Sequence, residues 1–111
     1  KIMILLVPYI LGGEVNMMKV IAKNFTHENK KSELIELLKE LKHYAIKEKK
    51  CIKYELFQDS DNETIITIIS EWEKINHLEE YYKSNYFIGI VDKISELIRK
   101  ESEVNIHSIL E

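Results

Sequence analysis

The sequence has few of the residues that build disulfide-bonded, metal-binding or nucleotide-binding sites, with one cysteine, one proline and three glycines among 111 residues. Cys51 alone can form neither an internal disulfide nor a thiolate metal cluster, and its isolation fits a reducing, cytoplasmic location. The glycines do not form the Gly-x-Gly-x-x-Gly pattern of dinucleotide-binding proteins. No group of His, Cys and carboxylate residues has metal-site spacing. The sequence therefore predicts neither a metal nor a cofactor.

The chain also lacks an excess of positive charge and a long apolar run. The formal net charge is -3, and the lysines between residues 30 and 50 alternate with glutamates. That mixture is typical of a solvated helix face, so nucleic acid is not an expected partner. The apolar run at residues 2–11 is too short to span a bilayer as a helix, so no membrane partner is expected either.

The first 16 residues differ from the rest of the chain. Gly12-Gly13-Glu14 can be encoded by a bacterial ribosome-binding sequence, at a suitable distance upstream of Met17 and Met18. We therefore interpret residues 1–16 as a translated leader or a disordered N-terminal extension, and residues 17–111 as a single domain.

Hydrophobic periodicity from residue 18 onward predicts a β-α-β-β-α-(α)-β order. The predicted strands are 19–25, 51–58, 64–72 and 104–110, and the predicted helices are 31–49, 74–83 and 85–100. This order is the ferredoxin-like split β-α-β arrangement, an α+β fold with an antiparallel sheet.

The third predicted strand is apolar on both faces. Helices can cover only one face of a sheet in so small a domain, so the other face needs a second partner. We therefore expect a homodimer closed by its sheets. The candidates for the shared face are Ile65, Thr67, Ile69 and Glu71.

Two segments resemble the antibiotic biosynthesis monooxygenase family, and its quinol monooxygenases most of all. One is Glu71-Trp72 at a strand end, followed by a helix with Leu78 and then a Phe-led helix. The other is 49–54, which matches a family Gly-Cys-x-x-Tyr pattern with Lys50 in place of glycine. The resemblance covers residues 18–110. It implies a homodimeric α+β barrel and oxidation by molecular oxygen without a cofactor.

An oxygenase without flavin or metal needs an electron-rich substrate that supplies the electron itself once deprotonated. The protein then contributes a dry pocket, a base and hydrogen-bond donors. The catalytic candidates are Asn24 as a donor, Trp72 as a ring and N–H donor, and His77 as a base. Each also has an ordinary structural explanation: a strand-end amide, a core anchor and a surface histidine, respectively.

The candidates for substrate binding are the aromatic residues Tyr54, Tyr82, Tyr86 and Phe87, each of which could equally be a core or rim residue. Two positions that carry histidine in the family's quinol monooxygenases correspond to Tyr81 and Tyr86. In the haem-degrading relatives the iron ligand corresponds to Val91, which cannot bind iron, so haem degradation is not expected.

Three functions follow from these observations. The first is a cofactor-independent monooxygenase acting on a small quinol, phenol or anthrone, with molecular oxygen as co-substrate. The second is a dimeric ligand-binding or stress-response domain without catalysis, because a fold does not fix a function. The third, and weakest, is an enzyme that degrades autoinducer-2, a small signalling sugar. A cavity with room for a bicyclic ring would favour the first, and one filled by tyrosines the second.

Overall fold

The computed structural model describes residues 17–110. Its strands are β1 (Met18–Thr26), β2 (Lys53–Gln58), β3 (Ile65–Trp72) and β4 (Ile98–Ser108), and its helices are α1 (Lys31–Glu48), α2 (Ile75–Lys83) and α3 (Asn85–Ile94). The proposed leader, residues 1–16, lies outside the described residues. Within residues 17–110, no helix has both the length and the apolar character needed to cross a membrane.

The four strands form one sheet in the order β2-β3-β1-β4. β1 lies at the centre and pairs antiparallel with β3 on one side and β4 on the other, while β2 pairs antiparallel with β3. The helices connect the strands across one face of this sheet. The predicted α+β class and its ferredoxin-like order are therefore confirmed.

Alternation along β3 shows how the sheet divides into two faces. Ile66, Ile68, Ser70 and Trp72 are buried, and the residues between them are only half-buried. Because side chains of a strand point to opposite faces in turn, the buried set faces the helices. The core lies between these side chains and the apolar stripe of α1, formed by Leu34, Leu38, Leu41 and Ala45.

The half-buried residues of β3 are the four predicted for a shared dimer face: Ile65, Thr67, Ile69 and Glu71. They lie on the face that no helix covers. Ile69 is paired with Ile21 of β1, which is also half-buried, so this apolar surface continues onto β1. A sheet face with several adjacent apolar side chains is the kind of surface that a second subunit covers. The homodimer itself stays a prediction.

The last helix ends, and the last strand begins and ends, at other residues than the sequence predicts. The predicted helix 85–100 was too long, because α3 ends at Ile94 and the chain then turns through Ser95. The Leu97 carbonyl accepts the Thr26 Oγ1 hydroxyl at 3.0 Å and the His27 N–H at 3.1 Å. These bonds join the chain to the end of β1, so β4 begins at Ile98 instead of 104.

The connection from α1 to β2 contains Lys50, which within residues 17–110 is the one non-glycine residue with a left-handed backbone conformation. Lys50 has φ 60°, and the Cys51 N–H donates to the Ala45 carbonyl at 3.1 Å, which closes the end of α1. The family resemblance places a glycine at this position, and the backbone conformation explains why, because glycine adopts it without strain. β2 consequently starts at Lys53, two residues after the predicted start.

Candidate active site

A small, partly open cavity lies between the helix-facing side of the sheet and the helices. Its volume is about 30 Å³, which is enough to admit water. Most of its wall is apolar, from residues of β1, α1 and α3 such as Val20, Leu38 and Ile94. The polar side chains that reach it are Asn24, Ser70, Tyr54, Tyr81 and Tyr82.

Asn24 reaches the cavity because it follows Val20 and Ala22 on the helix-facing side of β1. Ala22 pairs with Val104 of β4 and Lys23 with Glu103, so the register brings Ser102 opposite Asn24. The register then shifts by one residue, because Phe25 pairs with Lys100, and a bulge in β4 directly follows this pair.

Both polar atoms of the Asn24 side chain have hydrogen-bond partners in the protein. Ser102 Oγ donates to Asn24 Oδ1 at 2.8 Å, and Asn24 Nδ2 donates to the carbonyls of Ile66 at 3.3 Å and Ala22 at 3.4 Å. The two carbonyls can only accept, which fixes the nitrogen side of the amide. Both hydrogen bonds from Asn24 Nδ2 are long, so the amide N–H groups are bound more weakly than the amide oxygen.

Trp72 does not itself line the cavity. It is completely buried, its Nε1 donates to Ser70 Oγ at 3.0 Å, and its ring centroid lies 5.2 Å from that of Tyr81. Ser70 and Tyr81 both line the cavity. Trp72 therefore lies directly behind the wall and supports two residues that form it.

Two tyrosines form a hydroxyl pair in the cavity wall. The Tyr54 and Tyr81 hydroxyl oxygens are 3.2 Å apart, and both side chains are more than nine-tenths buried. Burial raises the pKa of both hydroxyls well above the usual tyrosine value. The pair therefore stays protonated at neutral pH and acts as a hydrogen-bond donor, not as a base.

Tyr81 was missing from the predicted substrate-binding residues, although the structure places it at the centre of the site. Its ring contacts Tyr82 at a centroid distance of 5.4 Å and Phe87 at 4.8 Å, and both of these also line the cavity. The spacing of the sequence could have indicated this role, because Tyr81 lies three residues after the core-facing Leu78 and therefore on the same face of the helix.

Two predicted residues lie away from the cavity. His77 is half-buried in the first turn of α2, and its Nδ1 is buried without a hydrogen-bond partner among residues 17–110. Tyr86 is 41% exposed, and its hydroxyl donates to Glu40 Oε1 at 3.1 Å. The structure thus brings Asn24, Tyr54, Tyr82 and Phe87 together around one cavity, with Trp72 behind it, and separates His77 and Tyr86 from them.

The described residues contain no group of three or more His, Cys, Asp or Glu side chains that could hold a metal ion. Cys51 is buried, its thiol donates to the Lys53 carbonyl at 3.1 Å, and burial raises its pKa to about 11. A thiol with a raised pKa is a poor nucleophile at neutral pH, because the thiolate is the reactive form.

Comparison with known proteins places this arrangement in a family. A conserved protein from Methanosarcina mazei Go1 is 33% identical over 85% of this chain and 93% of its own, with a TM-score of 0.79. A conserved protein of Bacteroides thetaiotaomicron, described as a candidate oxidoreductase, is 25% identical over 86% of this chain and 100% of its own, with a TM-score of 0.79.

A third structure shows how far the fold extends beyond sequence likeness. A protein from Caulobacter crescentus CB15, named as a candidate antibiotic biosynthesis monooxygenase, has a TM-score of 0.83 at 14% identity, over 87% of this chain and 92% of its own. No curated protein matches in sequence. Residues 17–93 match the family description "Antibiotic biosynthesis monooxygenase". The chain therefore belongs to the antibiotic biosynthesis monooxygenase family.

Proposed function

We propose that this protein is a cofactor-independent monooxygenase that oxidises a small electron-rich aromatic compound of the quinol, phenol or anthrone type. The observation that carries the proposal is the buried, aromatic-lined cavity with an amide donor at Asn24 and hydroxyl donors at Tyr54 and Tyr81. An apolar pocket with a few convergent polar groups is the usual form of a small-molecule site. A homodimer and a cytoplasmic location are part of the same proposal.

The proposed reaction consumes one molecule of oxygen per substrate. A quinol that has lost one proton to solvent passes one electron to oxygen, the resulting radical pair combines into a carbon-bound peroxide, and the peroxide takes up a proton. Loss of water from that peroxide leaves a hydroxylated quinone, so one oxygen atom enters the product and the other leaves as water. In a dry site, fixed N–H and O–H donors stabilise the developing negative charge far more than they would in bulk water.

Substrate entry requires the cavity to widen. Pockets for small molecules have volumes of roughly 300 Å³ or more, against about 30 Å³ in this cavity. The aromatic rings of Tyr81, Tyr82 and Phe87 fill the space and belong to α2 and α3, which join at Ser84. We infer that these rings move aside when the substrate binds.

The aromatic rings that fill the cavity also favour a second candidate function. A protein whose pocket remains closed by tyrosines would act as a dimeric ligand-binding or stress-response domain without catalysis. The two functions differ in a simple observable, because only the monooxygenase consumes oxygen in proportion to substrate.

The test is oxygen uptake by the purified protein with a panel of quinols that includes menadiol, corrected for autoxidation in buffer. Asn24→Ala should lower turnover by roughly two to three orders of magnitude, because removal of one donor to a developing oxyanion typically has that effect. Trp72→Phe should lower it less, since the ring remains and only the N–H is lost. Dialysis against a chelator should change nothing.

The matched control is Ser108→Ala, at the exposed end of β4. Circular dichroism should show that all variants stay folded. Equal turnover by Asn24→Ala and the control would contradict the role of Asn24. Loss of activity after chelation would contradict the cofactor-independent mechanism, and no uptake with any quinol would favour the ligand-binding alternative.

A further inference from the structure

A continuous line of aromatic rings leads from the buried core to the protein surface. The ring centroid of Tyr81 lies 5.2 Å from that of Trp72 and 6.3 Å from that of Tyr44. The Tyr44 centroid in turn lies 4.5 Å from that of Tyr86. Trp72 and Tyr81 are buried, Tyr44 is half-buried, and Tyr86 is 41% exposed. We call these four residues the aromatic line. Indole and phenol rings lose an electron more easily than aliphatic side chains, so an electron can move along this line in short steps.

The exposed end of the aromatic line has a proton acceptor. The Tyr86 hydroxyl donates to Glu40 Oε1 at 3.1 Å, and Glu40 lies one helical turn before Tyr44 on α1. Desolvation and the hydrogen bond to Glu40 raise the pKa of Tyr86, so the resting phenol keeps its proton. An oxidised phenol is a strong acid, and its radical persists when a nearby base takes the proton. Glu40 is such a base for Tyr86.

The tyrosines in the interior of the line have no such acceptor among residues 17–110. The Tyr81 hydroxyl shares a hydrogen bond with the Tyr54 hydroxyl, and the Tyr44 hydroxyl has no hydrogen bond. Lys49 Nζ also lies 5.9 Å from the Tyr44 ring centroid, where its positive charge opposes a positive charge on that ring. A missing electron is therefore less stable at Tyr81 or Tyr44 than at Tyr86.

We propose that the aromatic line is a radical-transfer path that carries oxidising equivalents from the cavity to the protein surface. Its oxidant is an oxygen-centred radical in the cavity, which Tyr81 lines. Without such a path, a radical of this kind attacks the side chains of the core. This function goes beyond the proposed monooxygenase, because it concerns the removal of a radical and not the oxidation of a substrate.

The transfer conserves atoms and electrons. The oxygen-centred radical takes one electron from the aromatic line and one proton from water, and becomes a hydroxyl compound. Tyr86 replaces that electron, passes its phenol proton to Glu40 and becomes a neutral tyrosyl radical. A thiol in solution then donates a hydrogen atom to the Tyr86 oxygen, and two of the resulting thiyl radicals combine into a disulfide. Glu40 returns its proton to solvent, and the protein is unchanged.

Flash photolysis of the purified protein tests the path, because the chain has a single tryptophan. Light at a wavelength that tyrosine does not absorb ionises Trp72 alone, and cobalt(III) hexaammine captures the ejected electron. Transient absorption should show a tyrosyl radical that forms at the rate at which the tryptophan radical decays. A nitroso-tert-butane spin trap, followed by peptide mass spectrometry, should place the radical adduct on Tyr86.

Three variants separate the path from direct oxidation of the surface. Tyr44→Phe keeps a ring in place but removes the oxidisable phenol, so the Tyr86 adduct should be lost. Glu40→Gln keeps the shape of the side chain but removes the base, and should also abolish the adduct. Tyr82→Phe is the matched control, because its ring contacts Tyr81 at 5.4 Å but lies outside the aromatic line. The adduct yield of this control should equal that of the unaltered protein.

The inference is overturned if Tyr44→Phe and Tyr82→Phe give equal adduct yields, or if the tryptophan radical of the unaltered protein decays without a tyrosyl radical. An unchanged yield in Glu40→Gln contradicts the proton transfer on which the path depends. The flash experiment uses no quinol and no oxygen uptake. Failure of the radical path and failure of the monooxygenase proposal are therefore observed independently.

Discussion

Ser102→Ala is the most direct test of how the fold holds Asn24. Ser102 Oγ is the donor to Asn24 Oδ1, at 2.8 Å, and both side chains are at least 96% buried. The variant leaves a buried amide oxygen without its donor. An unsatisfied buried polar group costs about 1–3 kcal/mol, and the amide and hydroxyl are both uncharged, which places the cost in the lower part of that range. We therefore expect the free energy of unfolding to fall by about 1–2 kcal/mol.

Urea denaturation at a fixed protein concentration measures this change, with the single, fully buried Trp72 as the fluorescent reporter. A loss of that size lowers the melting temperature by about 5–15 °C in a domain of this length. Ser108→Ala, on the exposed end of the same strand, should stay within about 0.5 kcal/mol of the unaltered protein.

A double-mutant cycle with Asn24→Ala isolates the interaction itself. Because both residues share one hydrogen bond, their effects should not add, and the coupling should be about 1 kcal/mol. Indistinguishable stabilities for Ser102→Ala and Ser108→Ala, or fully additive effects in the cycle, would refute the conclusion that Ser102 of β4 positions Asn24.

Three further predictions concern other parts of the chain. Lys50→Gly should stabilise the protein by about 0.5–1 kcal/mol in the same urea assay, because relief of the left-handed conformation outweighs the added entropy of the unfolded chain; Lys49→Gly should not. Burial raises the pKa of the Cys51 thiol from 9.0 to about 11, so between these pH values the folded protein keeps the thiol proton and the unfolded chain releases it. The free energy of unfolding should therefore keep the full contribution of this group below pH 9 and fall by up to about 2–3 kcal/mol as the pH rises to 11. Cys51→Ala should not show this fall. Light scattering should give twice the chain mass for the unaltered protein and the monomer mass for Ile69→Lys, whereas a stable unaltered monomer at micromolar concentration would contradict the dimer.

The periodicity of the sequence predicted the order of elements because each element carries its own signal. Alternation in β3 and helical spacing in α1 arise from local geometry, so a single sequence is enough to detect them. The end of α3 was not predictable in this way, since Leu97 and Ile98 continue the helical pattern of apolar residues. Their actual positions depend on hydrogen bonds to Thr26, a residue 71 positions away from Leu97.

The sequence predicted only part of the candidate site, because here too some of the contacts join residues that are far apart in the chain. Asn24 stood out as a polar residue in an apolar strand, but its partner Ser102 did not, because the two are 78 positions apart and meet only through the pairing of β1 with β4. Trp72 was expected in the pocket wall, and the structure places Ser70 between its indole and the cavity. Tyr81 was passed over because its neighbour Tyr82 lies in the same turn of α2, and the spacing from Leu78 indicates a shared helix face but not contact with the cavity.

The hydrogen bonds around the cavity indicate which groups a ligand can recruit. The bond from Ser102 to Asn24 Oδ1 is short, at 2.8 Å, whereas the bonds from Asn24 Nδ2 are 3.3 and 3.4 Å long. A ligand oxygen that approaches the amide therefore competes with two weak acceptors while Ser102 keeps the group in place. The Tyr54 and Tyr81 hydroxyls share one hydrogen bond, and neither makes another among the described residues. A ligand oxygen at the amide would then replace a weak hydrogen bond by a stronger one, and the main cost of binding would be the movement of the aromatic rings that fill the cavity.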